Sequence, residues 1–266
     1  MTATLAAEAR MVTAVRAAAA RAGELWSRGR ELELLERSMA FGALFLVTLM
    51  PLLVIIAAAA VTRGAGLAQW IAEAMGLSGQ GSAAVRGLFA TSGRTLSTTT
   101  AGSVAAVAVF GISLMGAVQG AFERMWDLPR GPWNSAARQA VALAGLLGYL
   151  LAAAWSGRPA RHTLLQPGLQ VTVTLAGGLL VFWWLARLLL ASRIPWRSLL
   201  PGAMATVVAL VGLRFFSAWV LAPLLVANAV SYGTIGTVLV VVSWLVGVGY
   251  CIYAGALLGR VLARPV

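Results

Sequence analysis

The feature that most constrains this chain is a series of long stretches without a single charged residue. Arg37 and Arg63 enclose 25 uncharged residues, Arg94 and Glu123 enclose 28, Arg138 and Arg158 enclose 19, and Arg161 and Arg187 enclose 25. A helix needs about 20 residues to cross roughly 30 Å of hydrocarbon, so each stretch is a candidate span. From Ser198 to Gly259 only Arg214 interrupts an apolar run that is too long for one helix. It suits two, with a break at 223–231, where Pro223, Asn228 and Ser231 favour a turn. The fold class this predicts is all-α: a polytopic membrane protein of six transmembrane helices at about 38–62, 97–122, 139–157, 163–186, 198–222 and 231–259.

Charge supports the same reading. Only 11% of the residues are charged, whereas a soluble domain carries about 25%. So few charges cannot cover a water-facing surface, and lipid needs no such cover. The formal net charge of +12, all of the basic residues being Arg, would suggest nucleic acid in a soluble protein. Here the arginines bracket apolar runs, which points to topology signals and lipid-phosphate anchors. The partners expected are therefore membrane lipids and no nucleic acid. With the N-terminus inside, the cytoplasmic parts hold fourteen arginines (six in 1–37, three in 124–138, three in 187–197, two in 260–264), and the outer parts hold five. That asymmetry predicts both ends in the cytoplasm.

Outside the spans, 1–37 reads as a cytoplasmic amphipathic helical segment, with Met11, Val15, Ala22 and Trp26 at helical spacing. The alternative is an ordinary solvated helix on the cytoplasmic face of the bundle. Residues 63–94 form the only long outer connection, read as a helical cap with its second short helix near 82–90 or, alternatively, as a mobile loop, and 261–266 as a cytoplasmic tail.

Several kinds of chemistry lack their residues. His162 and Cys251 are the only His and Cys, too few for a zinc or two-metal hydrolase. No Lys exists to complete a phosphate-binding loop. The predicted spans contain no carboxylate, which disfavours a buried proton relay. The expectation is a protein that is not an enzyme, with no catalytic residues, no metal and no cofactor. The spans do contain hydroxyls and amides, which either satisfy their own backbone or line a weakly polar cavity. Arg214, Gln119, Gln170, Tyr232 and Tyr250 are the candidate substrate-binding residues. Arg214 stands out. It lies thirteen residues past Pro201, about 20 Å along a helix at 1.5 Å per residue, and no acid follows residue 127 to pair with it. Snorkelling to the headgroups is the competing explanation.

Helix packing is expected at Gly116 and Gly120, at Gly255 and Gly259, and at Gly145 and Gly148, where small residues let backbones approach. Pro51 would kink the first span, and Pro201 would begin the fifth.

Taken together, several segments resemble the YihY/BrkB inner-membrane family, once labelled ribonuclease BN. Thr48 to Pro51 in Phe45-Leu-Val-Thr-Leu-Met-Pro-Leu-Leu looks like that family's Ser-Leu-Phe-Pro-Leu signature. Ala121-Phe-Glu-Arg-Met-Trp126, followed by Trp133 and Arg138, is similar to its cytoplasmic linker. Pro201-Gly-Ala, Tyr232-Gly-Thr-Ile-Gly236, Trp244 and Gly255-Ala256 fall in the family's order and spacing. One departure is Leu257, which stands where the family commonly has an acid. The resemblance implies a six-helix envelope protein of the bacterial cytoplasmic membrane that translocates or binds a lipid-like or other amphiphilic substrate, in which Arg214 would be the partner for a phosphate or carboxylate. Its alternative is a non-transporting scaffold for envelope integrity.

Overall fold

The computed structural model describes Arg16 and residues 20–59, Ala72, 75–77, 79–93, 100–129, Gly131, 135–156 and 166–263. Among the described residues all regular structure is helical. A short helix over 20–31 precedes α1 (Leu34–Ala59), α2 (Gly79–Gly93), α3 (Thr100–Met125), α4 (Ser135–Ser156), α5 (Gln166–Leu189), α6 (Trp196–Phe216), a π-helical turn (Ser217–Leu221) and α7 (Ala222–Ala263). Three stretches among them are long and apolar enough to cross a membrane: Leu34–Leu52, Gly102–Met125 and Trp196–Ala263. Leu175–Leu189 is a shorter apolar helix.

Length and hydropathy explain why these segments are helical. In hydrocarbon every backbone N–H and C=O must find a partner inside the protein, and a helix supplies them all locally. The hydroxyls follow the same rule. Ser38, Thr48, Ser113, Thr206, Thr237 and Ser243 each donate to the carbonyl four residues earlier on their own helix. For these residues the backbone-satisfying reading is the right one.

The helices form a ring. α1 packs on α3, α3 on α4, α4 on α5, α5 on α6 and α6 on α7, and α7 returns to α1. The turn from α5 to α6 places Ala191 and Ser192 in the left-handed region (φ 55° and 57°). It is closed by Trp183, whose indole N–H donates to the Trp196 carbonyl at 2.9 Å, and by Arg187 stacked 4.4 Å over the Trp196 ring.

The long C-terminal run folds back on itself, but not where the sequence suggested. Pro223 to Ser231, expected as the break, is helical within α7. The non-helical residue is Gly233, at φ 61° and ψ −135°, a region open in practice only to glycine. On either side of it the close contacts run antiparallel: Gly202 meets Gly259, Thr206 meets Gly255, Leu213 meets Gly247 and Asn228 meets Gly236. The reversal is therefore at Gly233. Pro223 instead accounts for the π turn. It has no N–H for the Trp219 carbonyl, and its ring crowds that carbonyl, so the turn before it widens.

Other boundaries shift for similar reasons. α6 starts at Trp196, with Pro195 as its N-cap, so Pro201 lies inside the helix rather than opening it. Pro51 likewise sits within α1. The segment expected as one amphipathic helix over 1–37 turns at Leu32 and Glu33, where Glu33 takes a positive φ of 52°, and α1 begins at Leu34. Its first fifteen residues and 17–19 are outside the described residues. Arg260, assigned above to the cytoplasmic arginines just before the tail, is in α7 and only 5% exposed. Between α1 and α3, α2, Ala72 and residues 75–77 pack onto the hairpin. Met75 and Val85 are fully buried, Gly76 sits against Ala218, and Gly81 faces Leu225.

Of the glycine pairs, only one is a seam throughout. A Cβ on Gly259 would lie 2.5 Å from Gly202 Cα, and one on Gly255 would lie 2.8 Å from the Thr206 backbone. Gly116 faces the Gln139 side chain at 3.4 Å, whereas a Cβ on Gly120 or on Gly148 would meet nothing within 4 Å. Gly120 and Gly148 therefore do not pack as expected. Gly145 does, against the Trp184 ring.

Candidate functional site

A cavity of about 270 Å³ opens inside the ring, walled by α1, α4, α5, α6 and α7. Its walls are mostly apolar, including Phe41, Phe45, Leu146, Leu210 and Val248, with Tyr149 and Trp244 adding polar edges. Among the described residues Arg214 is the one charged residue that lines it. Arg214 is eighteen residues from the start of α6, about 27 Å along the helix axis, and so lies near the end of the bundle opposite the Arg193 turn. It has no carboxylate partner among the described residues. Glu73, the acid nearest in the sequence reading, is outside them, as is His162.

The π turn begins three residues beyond Arg214. The Ser217 N–H is shared between the Leu213 and Arg214 carbonyls, and the Ala222 N–H reaches back five residues to Ser217. Single π turns inside helices often accompany functional sites. Ser217 is fully buried, and its hydroxyl has no partner among the described residues.

At the arginine-rich end the ring is closed by a polar network. Glu123 is only 5% exposed, and its Oε1 accepts from Gln119 Nε2 at 2.9 Å and from Arg193 Nη2 at 2.7 Å. Gln119 in turn accepts from Gln139 at 3.0 Å, and Arg193 also donates to the Pro129 carbonyl. Arg260 donates to the Met125 carbonyl and pairs with the Asp127 carboxylate. The network therefore ties α3 to α4, to the α5–α6 turn and to α7. Between it and the cavity, Phe122, Leu199 and Ile252 close on Phe182 and leave about 20 Å³, room for about one water.

This network corrects one reading of the sequence. Glu123 was taken as a flanking acid beyond a span ending at 122, yet α3 runs to Met125 and Glu123 lies buried within it. The signal was present: Gln119 and Glu123 are four residues apart, which puts both on one helix face.

The structure does not gather the candidate binding residues at one place. Arg214 lines the cavity. Gln119 is 3% exposed and committed to the Glu123 network. Tyr232 is 69% exposed at the hairpin tip beside Gly233. Tyr250 lines a separate groove at the arginine-rich end. Gln170 is in α5, and its side chain is outside what is described. The cavity-lining Phe41, Phe45 and Leu146 carry no sequence signal that separates them from ordinary span residues.

A model of the family described as Virulence factor BrkB matches residues 80–265. That stretch contains α3 to α7, and the Thr48–Pro51 signature lies outside it. No curated protein and no solved structure matches the chain.

Proposed function

The chain belongs to the Virulence factor BrkB family, and from that premise we propose that it takes a lipid-like anionic amphiphile into the cavity at Arg214 and moves it across the cytoplasmic membrane. The proposal has α1, α3, α4, α5, α6 and α7 as six crossings with both ends in the cytoplasm. The lengths of α1 and α3 to α6, 26, 26, 22, 24 and 21 residues, support this, as does the part of α7 from Thr234 to Ala263, since about 20 suffice to span. An even number of crossings puts both ends on one side, and the arginine count selects the cytoplasm.

The observation that carries the proposal is Arg214, an exposed residue and the one charged side chain among the described residues that line an otherwise mostly apolar cavity. A charge in a span costs at least about 2.5 kcal/mol at the bilayer centre, and it is offset when an anion shares the space. Apolar walls with a few placed polar groups are the usual form of a small-molecule site. At about 270 Å³ the cavity is slightly below the ~300–1,000 Å³ of such sites. That size favours one hydrocarbon chain over a whole two-chain lipid. The closed network at Glu123 would serve as the inner barrier to passage. This chemistry makes and breaks no covalent bond, in keeping with a protein that is not an enzyme.

Reconstitution tests the proposal. Liposomes containing the pure protein and a fluorescent single-chain phosphate amphiphile should equilibrate the label between leaflets faster than empty liposomes. Arg214→Gln should lose at least about tenfold of that rate, a hydrogen-bonded charge being worth ~1.5–3 kcal/mol, with its thermal midpoint in detergent unchanged. Equal rates for parent and variant would remove Arg214 from substrate binding. No acceleration by the parent would favour the envelope-scaffold reading.

A further inference from the structure

A second and larger opening, about 940 Å³, lies at the arginine-rich end between the 20–36 segment and α7. One wall is a single face of α7, formed by Tyr250, Ala254, Leu257 and Leu258, which recur at i, i+4, i+7 and i+8. The other wall carries Trp26, 69% exposed, and Leu35, 56% exposed. The wedge exists because the left-handed Glu33 turns the short 20–31 helix away from α1. The rim holds both signs of charge: Arg30 on one side of the turn, Glu33 and Glu36 at and after it. Glu33, exposed, makes a 3.6 Å pair with the half-buried Arg37, while Arg30 and Glu36 have no ion-pair partner among the described residues.

We propose that this groove is a binding site for a membrane phospholipid with an amine-bearing, zwitterionic headgroup. Its acyl chains lie along the α7 face, its phosphate sits on Arg30, and its ammonium sits between Glu33 and Glu36. Tryptophan and charged side chains at such a height match the boundary between headgroups and hydrocarbon. The selectivity follows from charge. A lipid whose only headgroup charge is its phosphate meets Glu36, which has no ion-pair partner among the described residues, and Glu33, offset only by its 3.6 Å pair with Arg37, whereas an ammonium turns both into partners. The site is independent of substrate binding at Arg214 and stands or falls without it.

The test uses the full chain in detergent micelles, titrated with phosphatidylethanolamine or phosphatidylglycerol carrying the same brominated acyl chains, which quench nearby tryptophan emission. Phosphatidylethanolamine should quench at several-fold lower concentration than phosphatidylglycerol, and Trp26→Phe should remove that component. Glu33→Gln with Glu36→Gln should erase the preference, and Arg30→Gln should weaken both lipids. All three rim positions are exposed, so these variants should keep the parent's melting midpoint. Equal quenching by the two lipids in the parent would overturn the proposal. So would quenching that survives Trp26→Phe, the result expected if residues 1–19 fill the groove.

Discussion

A Cβ on Gly259 would meet Gly202 Cα and N at 2.5 and 2.6 Å, and one on Gly255 would meet Thr206 backbone atoms at 2.8 Å. Backbone cannot swing aside as a side chain can, so Gly255→Leu and Gly259→Leu should each destabilise the bundle by about 1–3 kcal/mol through overpacking. Gly120 gives the internal control. With nothing within 4 Å of its added Cβ, Gly120→Ala should be neutral or stabilising by up to ~1 kcal/mol, the helix-propensity difference. Thermal midpoints in detergent separate the two sets. Glu123 makes the other residue-level prediction. Glu123→Gln leaves Arg193 without its carboxylate, and because Arg193 is 26% exposed, the loss should fall near the lower end of the ~3–5 kcal/mol seen when a buried pair is broken. Adding Arg193→Gln should recover part of that loss, giving a non-zero coupling in the double-variant cycle. A coupling of zero would mean that the pair does not hold the ring closed.

At the scale of elements, the C-terminal third is one helical hairpin, and two residues set its shape. Gly233 allows the reversal because only glycine reaches φ 61° with ψ −135° at small cost. Gly233→Val should therefore lower stability by at least about 1–3 kcal/mol, even though no neighbour lies within 4 Å of the added Cβ. Unchanged melting would show that the reversal is elsewhere. Pro223 widens the helix without ending it: the break predicted at 223–231 is helical, and a π turn five residues long stands before it. Local composition shows that the helix is perturbed near Pro223. Whether the chain then reverses depends on what α7 finds to pack against, and Gly255 and Gly259 provide that seam with α6.

For the whole molecule, the proposed topology has a direct readout. Reporter fusions at residues 1 and 266 should both mark the cytoplasm, and a reporter within 79–93 should mark the outside. A reporter at 266 active outside would defeat the six-crossing arrangement. The arrangement also gives the two openings different roles. In the proposed topology the cavity at Arg214 would lie toward the outer leaflet and the groove at Arg30 at the inner one, with the Glu123 network and the tightly closed Phe122–Phe182 layer between the cavity and the arginine-rich end.

The membrane class and the helical content are legible in the sequence alone. Lipid imposes one requirement on every residue alike, an uninterrupted apolar stretch of sufficient length with charges at its ends, and such a requirement can be read in one dimension. The sequence also marked Arg214, because an isolated charge in an apolar run is conspicuous wherever the helix points. The tertiary structure decided which side of each helix meets which neighbour. Gly255 and Gly259 touch a backbone while Gly120, in the same motif, touches nothing. Gln119 turns to Glu123 and away from any shared site with Arg214, and Tyr250 faces the groove instead of the cavity. The physical reason is that each of these outcomes depends on contacts between segments tens of residues apart, set by the rotation of each helix about its axis. The apolar pattern leaves that rotation open, because a span is apolar on the sides that meet lipid as well as on those that meet protein.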